Sequence, residues 1–242
     1  MKPDAYALAA EAETEHWWFV ARRAILRAVV DQLLPEGANR HVLEVGCGNG
    51  GNFSLLARYG ALSAVEHDAG ARARASSRGL ARVEQGDLPH HLPFADTKFQ
   101  LIAALDVVEH VDDDAAAVRA LAERLSMDGM LLVTVPAYSW LWSSHDELSH
   151  HLRRYTAGGL NTILEKAGLR VAYSSYFNSF LFPVGVAHAK LSGLFGRQQY
   201  GMQVPPRFLN AALRTIFECE RLVIPRHSLP FGMSIVSCAF RA

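Results

Sequence analysis

The stretch His41 to Gly51, HVLEVGCGNGG, constrains this chain more than any other. The apolar run Val42-Leu43-Glu44-Val45 is followed at once by four glycines in six residues, and then by the apolar-periodic stretch from Phe53 to Tyr59. Strand, glycine turn and helix in that order bring a ligand against bare backbone N–H groups at a helix N-terminus. A side chain in the turn would block the ligand or forbid the backbone angles. Gly46, Gly48 and Gly51 also meet the G-x-G-x-x-G spacing of dinucleotide-binding folds, so the glycines alone do not choose the ligand. Glu44, two residues before the first glycine, argues against a pyrophosphate, which its charge would repel, and for a ligand carrying an ammonium and a sulfonium. The plainer reading of Glu44 is an exposed acid at a strand end.

Spacing downstream sharpens the choice. Leu62 to Glu66 reads as a second strand, and Glu66 follows Gly46 by 20 positions, the interval at which an acid reaches the ribose hydroxyls of an adenosine. His67 and Asp68 follow it, and Asp68 is the competing acid. A third strand, Arg82 to Leu88, ends in Gly86-Asp87, where the acid can accept from an adenine amino group while Leu88 covers the ring. Phe99 to Leu105 is a buried fourth strand that delivers Asp106-Val107-Val108-Glu109-His110 to the same edge. Asp112 to Asp114 open a helix reaching Leu125, and Met127-Asp128-Gly129 turns into a fifth strand, Met130 to Val135.

The set Glu44-x-Gly46-x-Gly48-x-Gly50, Glu66, Gly86-Asp87, the Phe99 to His110 segment and Asp128-Gly129 resembles the class I S-adenosylmethionine-dependent methyltransferases, over roughly residues 38 to 175. The resemblance implies an α/β fold: a Rossmann-like, seven-stranded, mostly parallel sheet with helices on both faces and its last strand antiparallel. It implies S-adenosylmethionine as cofactor, with S-adenosylhomocysteine as product. Glu44, Gly46, Cys47 and Gly48 would face the methionine moiety, Glu66 and His67 the ribose, Asp87 and Leu88 the adenine, and Asp106 and Val107 the opposite side. An NAD-linked dehydrogenase would explain the glycines and Glu66 but not Glu44 or Gly86-Asp87. A silent cofactor-binding or interaction protein is a further alternative.

The chain divides into an N-terminal helical lid (1–37), the cofactor-binding core (38–178), an apolar helical insert (179–230) and a last strand completing the core (231–242). In the lid, His16-Trp17-Trp18-Phe19 puts rings on several faces of one helix, so they cannot all enter one core. Most of them pack; one or two, with Trp17 and Trp18 as candidates, are expected to line the crevice. The segment Ala137 to Tyr155, AYSWLWSSHDELSHHLRRY, follows the fifth strand where an acceptor would lie. As a group it reads as substrate recognition, with Tyr138, Trp142 and Arg154 as the contacts, although any one arginine is equally read as tying the loop to nearby acids.

The reaction so implied needs positioning and, for a hydroxyl acceptor, a base. His110, His145 and His151 are the candidates, with His110 first because it directly follows strand four. Asp106-x-x-Glu109-His110 is also similar to the Glu-x-x-Glu-His stretch of metal-assisted O-methyltransferases. Aspartate in the first position shortens the reach, so a divalent metal is the alternative and pocket-wall roles are preferred. The acceptor is expected to be a small lipophilic or aromatic molecule, methylated on oxygen.

Lys plus Arg and Asp plus Glu both count 24, so no basic excess points to a nucleic-acid partner. Three scattered cysteines without C-x-x-C spacing, and no signal-like leader, read as a reduced cytoplasm. The insert at 179–224 could enclose the acceptor, form a homodimer or touch a membrane surface.

Overall fold

The computed structural model describes residues 12–34, 39–195 and 203–241. Residues 1–11 and 35–37 of the expected lid, and 196–202 of the expected insert, lie outside the described residues.

Seven strands form one sheet in the order β3-β2-β1-β4-β5-β7-β6. They are β1 (His41–Val45), β2 (Ala61–Glu66), β3 (Arg82–Gln85), β4 (Phe99–Leu105), β5 (Leu125–Pro136), β6 (Leu169–Phe177) and β7 (Ser234–Arg241). The first five pair in parallel, and β7 lies antiparallel between β5 and β6. Strand order reverses between β1 and β4, which opens a crevice at their carboxyl ends. The fourth strand is buried along nearly its whole length, FQLIAAL, as a parallel strand covered on both faces must be.

Helices α1 (Trp17–Leu33), α2 (Phe53–Leu56), α3 (Ala69–Ser77), α4 (Asp114–Arg124), α5 (Ser144–Ser149), α6 (Ala157–Lys166), α7 (Phe182–Phe195) and α8 (Arg207–Glu218) surround the sheet. One apolar layer joins Ile25, Leu26, Val29 and Val30 of α1 to Phe217 of α8, and the other joins Val118 and Leu121 of α4 to Leu160 and Leu164 of α6. The described part of the 1–37 segment therefore serves two ends. Its C-terminal turns are core, and its first turns face the crevice.

Two local features differ from the sequence expectation. Met127-Asp128-Gly129 is no turn before β5 but an irregularity within it. Phe99 pairs with Leu125 and Leu101 with Met130, so five residues of β5 stand against two of β4, with Asp128 at φ 58°. Within the insert expected as helical over 179–230, α8 ends at Glu218 and continues as a 3-10 turn, Cys219–Leu222. That turn buries Glu220, whose carboxylate accepts the successive N–H groups of Asn178, Ser179 and Phe180 at 2.7, 2.6 and 2.8 Å. The insert is thereby tied to the end of β6.

Candidate functional site

The glycine turn is pinned from behind: the N–H groups of Gly46 and Cys47 both donate to Val65 O, at 2.9 and 3.1 Å. Gly46 sits at φ 66°, and a Cβ there would lie 2.6 Å from Val107 Cγ2, so it admits no side chain. Gly48, at φ 53°, has open space where a Cβ would stand. That space belongs to a cavity of about 1690 Å³ at the carboxyl edge of the sheet. Single-ligand sites usually run to roughly 300–1,000 Å³, so a second molecule fits beside the first.

Gly46, Cys47, Gly48, Glu66, His67, Asp87, Leu88, Asp106 and Val107 all line this cavity. Glu66 Oε2 accepts the Gly48 N–H at 2.8 Å and Oε1 the Asp68 N–H at 2.9 Å, so it holds the turn as well as facing the cavity. Asp68, the competing acid, caps α3 by accepting from Ala71 N.

Glu44 stands behind the wall rather than on it. It is buried, with Oε1 accepting from Asn52 Nδ2 at 2.8 Å and Oε2 without a partner. Burial, offset in part by the Asn52 amide, pushes its carboxyl up to about 8. An unfolded glutamate ionises near 4.5, so stability falls as pH rises from there through about 8. Glu44→Gln is expected to stabilise the free protein by on the order of 3 kcal/mol at pH 7, with no gain below pH 4.5. Thermal melts at pH 4.5 and 8 check this; equal shifts at both would refute it.

The crevice is roofed by the first turns of α1. Trp17, Trp18 and Phe19 all face it. Trp17 meets Phe217 edge-on at 5.8 Å, and Trp18 lies under the Arg22 guanidinium at 5.0 Å. Arg22 is 4% exposed and reaches Asp106 Oδ2 at 2.5 Å and Thr134 Oγ1 at 2.8 Å. Arg22 is not among the residues the motifs single out. The available signal was its register, since Trp18, Arg22, Ile25 and Val29 fall on one helical stripe.

All three candidate histidines line the cavity and form a cluster around His151. His151 lies 4.8 Å from the His110 ring and 6.0 Å from the His145 ring. His151 Nδ1 meets Asp146 Oδ1 at 2.9 Å. Asp146 is fully buried, yet hydrogen bonds from His151 and Arg154, and the Arg154 charge, outweigh its desolvation and hold it well below the carboxylate range. An ionised carboxylate only accepts, so His151 Nδ1 carries a proton and donates it to Asp146. Nε2 stands 4.0 Å from Glu109 Oε1. His110 instead points Nδ1 at His150 O, 3.2 Å away, and burial together with His151 lowers it to about 4. His145 is also lowered, first by burial and then by His151. The ranking of His110 first is therefore revised: the histidine with a carboxylate behind it is His151.

Three expected acceptor contacts are corrected. Tyr138 does not line the cavity; at φ 57° its ring turns to the other side and stacks on Tyr176 at 5.0 Å. Trp142 does not line it either and is exposed. Arg154 reaches the cavity wall, but its donors are taken by Asp146 Oδ1 and Oδ2 at 2.7 and 2.8 Å and by Ala137 O at 3.0 Å. Its guanidinium braces the loop.

Glu109 is buried with both carboxylate oxygens unpartnered, and desolvation, then the Asp106 charge, raises it well above its ordinary value. Among the described residues, Glu109, His110 and His151 bring ligating atoms within 4.8 Å of one another. Asp106 belongs to Arg22 and Thr134, so the metal-type set exchanges Asp106 for His151. Asn178, at the end of β6, faces the cavity with an unpartnered Oδ1. The far wall comes from the insert, through Leu181, Val184, Ala189, Leu209 and Leu213.

Comparison with known proteins agrees with this geometry. The methyltransferase-domain family matches residues 18–174. A Mycobacterium tuberculosis protein named "Probable S-adenosylmethionine-dependent methyltransferase" is 33% identical over 163 residues, which cover 65% of this chain and 57% of that protein. The chain thus spans little more than half the length of that relative. An S-adenosylmethionine-dependent methyltransferase from Mesorhizobium loti superposes with a TM-score of 0.58 at 18% identity, over 88% of this chain and 95% of the other. The [4+2]-cyclase SpnF superposes equally well, at 0.58 and 20% identity, over 93% and 82%. Likeness at this identity shows the fold and leaves the reaction to the residues.

Proposed function

This chain belongs to the class I S-adenosylmethionine-dependent methyltransferases, in the methyltransferase-domain family, and from that premise we propose that it methylates an oxygen of a lipophilic acceptor with His151 as base. The observation that carries the reading is the Asp146–His151 pair on the wall of a cavity with room for two ligands.

S-adenosylmethionine, when bound, supplies a methyl group on a positively charged sulfur. Bare backbone at Gly46 and Gly48 admits the methionine end, Glu66 accepts from ribose hydroxyls, and Asp87 with Leu88 takes the adenine. Glu44, behind the wall, offers a carboxylate that a cationic ligand would ionise by lowering its pKa. The cluster around His151 borders the remaining space. On methylation His151 would take the proton that the acceptor oxygen gives up. Asp146 keeps the ring in the competent tautomer and steadies the imidazolium. The apolar insert wall excludes water and favours a lipophilic acceptor.

Calorimetric titration tests the cofactor assignment. S-adenosylmethionine and S-adenosylhomocysteine are expected to bind and NAD to fail. Glu66→Ala is expected to weaken both by roughly 10- to 150-fold, the worth of hydrogen bonds to a charged group. Binding of NAD alone would overturn the reading.

The unpartnered Glu109 carboxylate favours a second reading, in which a divalent cation is held by Glu109, His110 and His151 and orients the acceptor oxygen. Oxygen and imidazole donors suit Mn, Mg or Zn. Under this reading, EDTA abolishes methyl transfer and one divalent ion restores it. Full turnover in EDTA leaves His151 as a base alone.

A further inference from the structure

The insert is more than a wall, because its apolar surface runs from the cavity round to the outside of α8. At helical spacing, Leu209 and Leu213 face the cavity, whereas Phe208, Ala212 and Ile216 form the adjoining stripe and stand exposed, Phe208 at 79%. Leu222, in the 3-10 turn that follows, is exposed at 69%. Single exposed apolar residues are ordinary, but a stripe continuous with a ligand cavity marks a contact surface.

Charge identifies what the stripe meets. The chain as a whole balances 24 basic against 24 acidic residues, yet residues 203–229 carry four arginines, Arg207, Arg214, Arg221 and Arg226, against Glu218 and the buried Glu220. Glu218 is shared between Arg214 and Arg221, while Arg207 and Arg226 make no ion pair among the described residues. An exposed apolar stripe on a segment with an excess of arginine fits the interface of an anionic bilayer. No helix among the described residues is long and apolar enough to cross a membrane, so the contact lies in the plane of the surface.

We propose that α8 docks on an anionic membrane surface, and that the acceptor is an amphiphile whose apolar chain passes between α7 and α8 into the cavity. This inference rests on the methyltransferase reading for its acceptor, whereas docking is measured independently of it. Phe208 and Ile216 do not line the cavity, so changing them leaves the cofactor site intact.

The test is co-sedimentation with phosphatidylcholine vesicles, with and without phosphatidylglycerol, at low and high salt. The protein is expected to pellet with the anionic vesicles at low salt and to be released by salt. Phe208→Glu with Ile216→Glu is expected to weaken pelleting at least tenfold, with S-adenosylmethionine binding unchanged. Arg207→Gln with Arg226→Gln, which leaves the apolar stripe in place, is expected to lose the preference for anionic lipid. Failure to pellet on either vesicle, pelleting indifferent to both pairs of substitutions, or a wild-type dimer that the glutamates split in the absence of lipid would overturn the proposal. In the last case a second copy of the chain covers the stripe. Loss of cofactor binding in the wild type would instead sink the methyltransferase reading and leave the vesicle result standing.

Discussion

Replacing His151 by alanine is expected to lower kcat by about 10²- to 10⁴-fold, the usual worth of a positioned base, while S-adenosylmethionine binding stays within about twofold. The reason is geometric, since His151 alone of the three clustered histidines holds a buried aspartate on Nδ1 while it lines the cavity. His110→Ala is expected to cost far less, because His110 is spent on His150 O and is a weak base at about 4. Asp146→Asn should reproduce much of the His151 loss in kcat with little change in KM, since an amide no longer enforces the Nδ1–H tautomer. The measurement is transfer of labelled methyl groups into a total lipid extract, followed with all three variants. Equal losses for His110→Ala and His151→Ala would remove the distinction drawn between them.

The second large effect is on stability. Arg154→Met strips the fork from Asp146, which is fully buried and accepts both Arg154 bonds below 3 Å. Removing one partner of a buried pair costs roughly 3–5 kcal/mol, because the other charge remains uncompensated. At about 2–4 °C per kcal/mol for a chain of this size, the melting temperature should fall by on the order of 10 °C. Arg154→Lys should recover part of the loss, since it restores charge but not the paired donors. Had Arg154 been an acceptor ligand, Arg154→Met would raise KM and leave the melt unchanged, which is the outcome that refutes this assignment.

What the sequence made legible was local. The turn from Gly46 to Gly48, Glu66 twenty positions on and Asp87 at the end of β3 follow from spacing along elements whose period is fixed, and each reaches the cavity as the spacing requires. What it hid depended on partners far along the chain. Arg22 is explained by Asp106, 84 residues away, and no periodicity reports a partner at that distance. Tyr138 failed for a different reason. It was read from the aromatic and polar character of its loop, which does not report the φ of 57° that turns this ring onto Tyr176. Asp128 likewise read as a turn because its left-handed backbone is turn chemistry, here absorbed as excess length inside β5. The ordering of the histidines rested on proximity to β4, whereas Asp146, which decides among them, sits on α5 and was visible only as one acid in a polar loop.

The carboxylate of Glu220, closing three consecutive backbone N–H groups at residues 178 to 180, makes the insert a cassette with a locked hinge-pin. The 39 residues between Phe180 and Glu220 begin and end at one fixed point on the scaffold, and α8 within them is core through Phe217, so what can be exchanged without moving β6 or β7 is the chain that joins α7 to α8. Because a longer loop adds closure entropy only logarithmically, such exchanges are thermodynamically cheap. Tolerance to exchange is therefore confined to that connection, while α8 stays bound to the core beside the cavity.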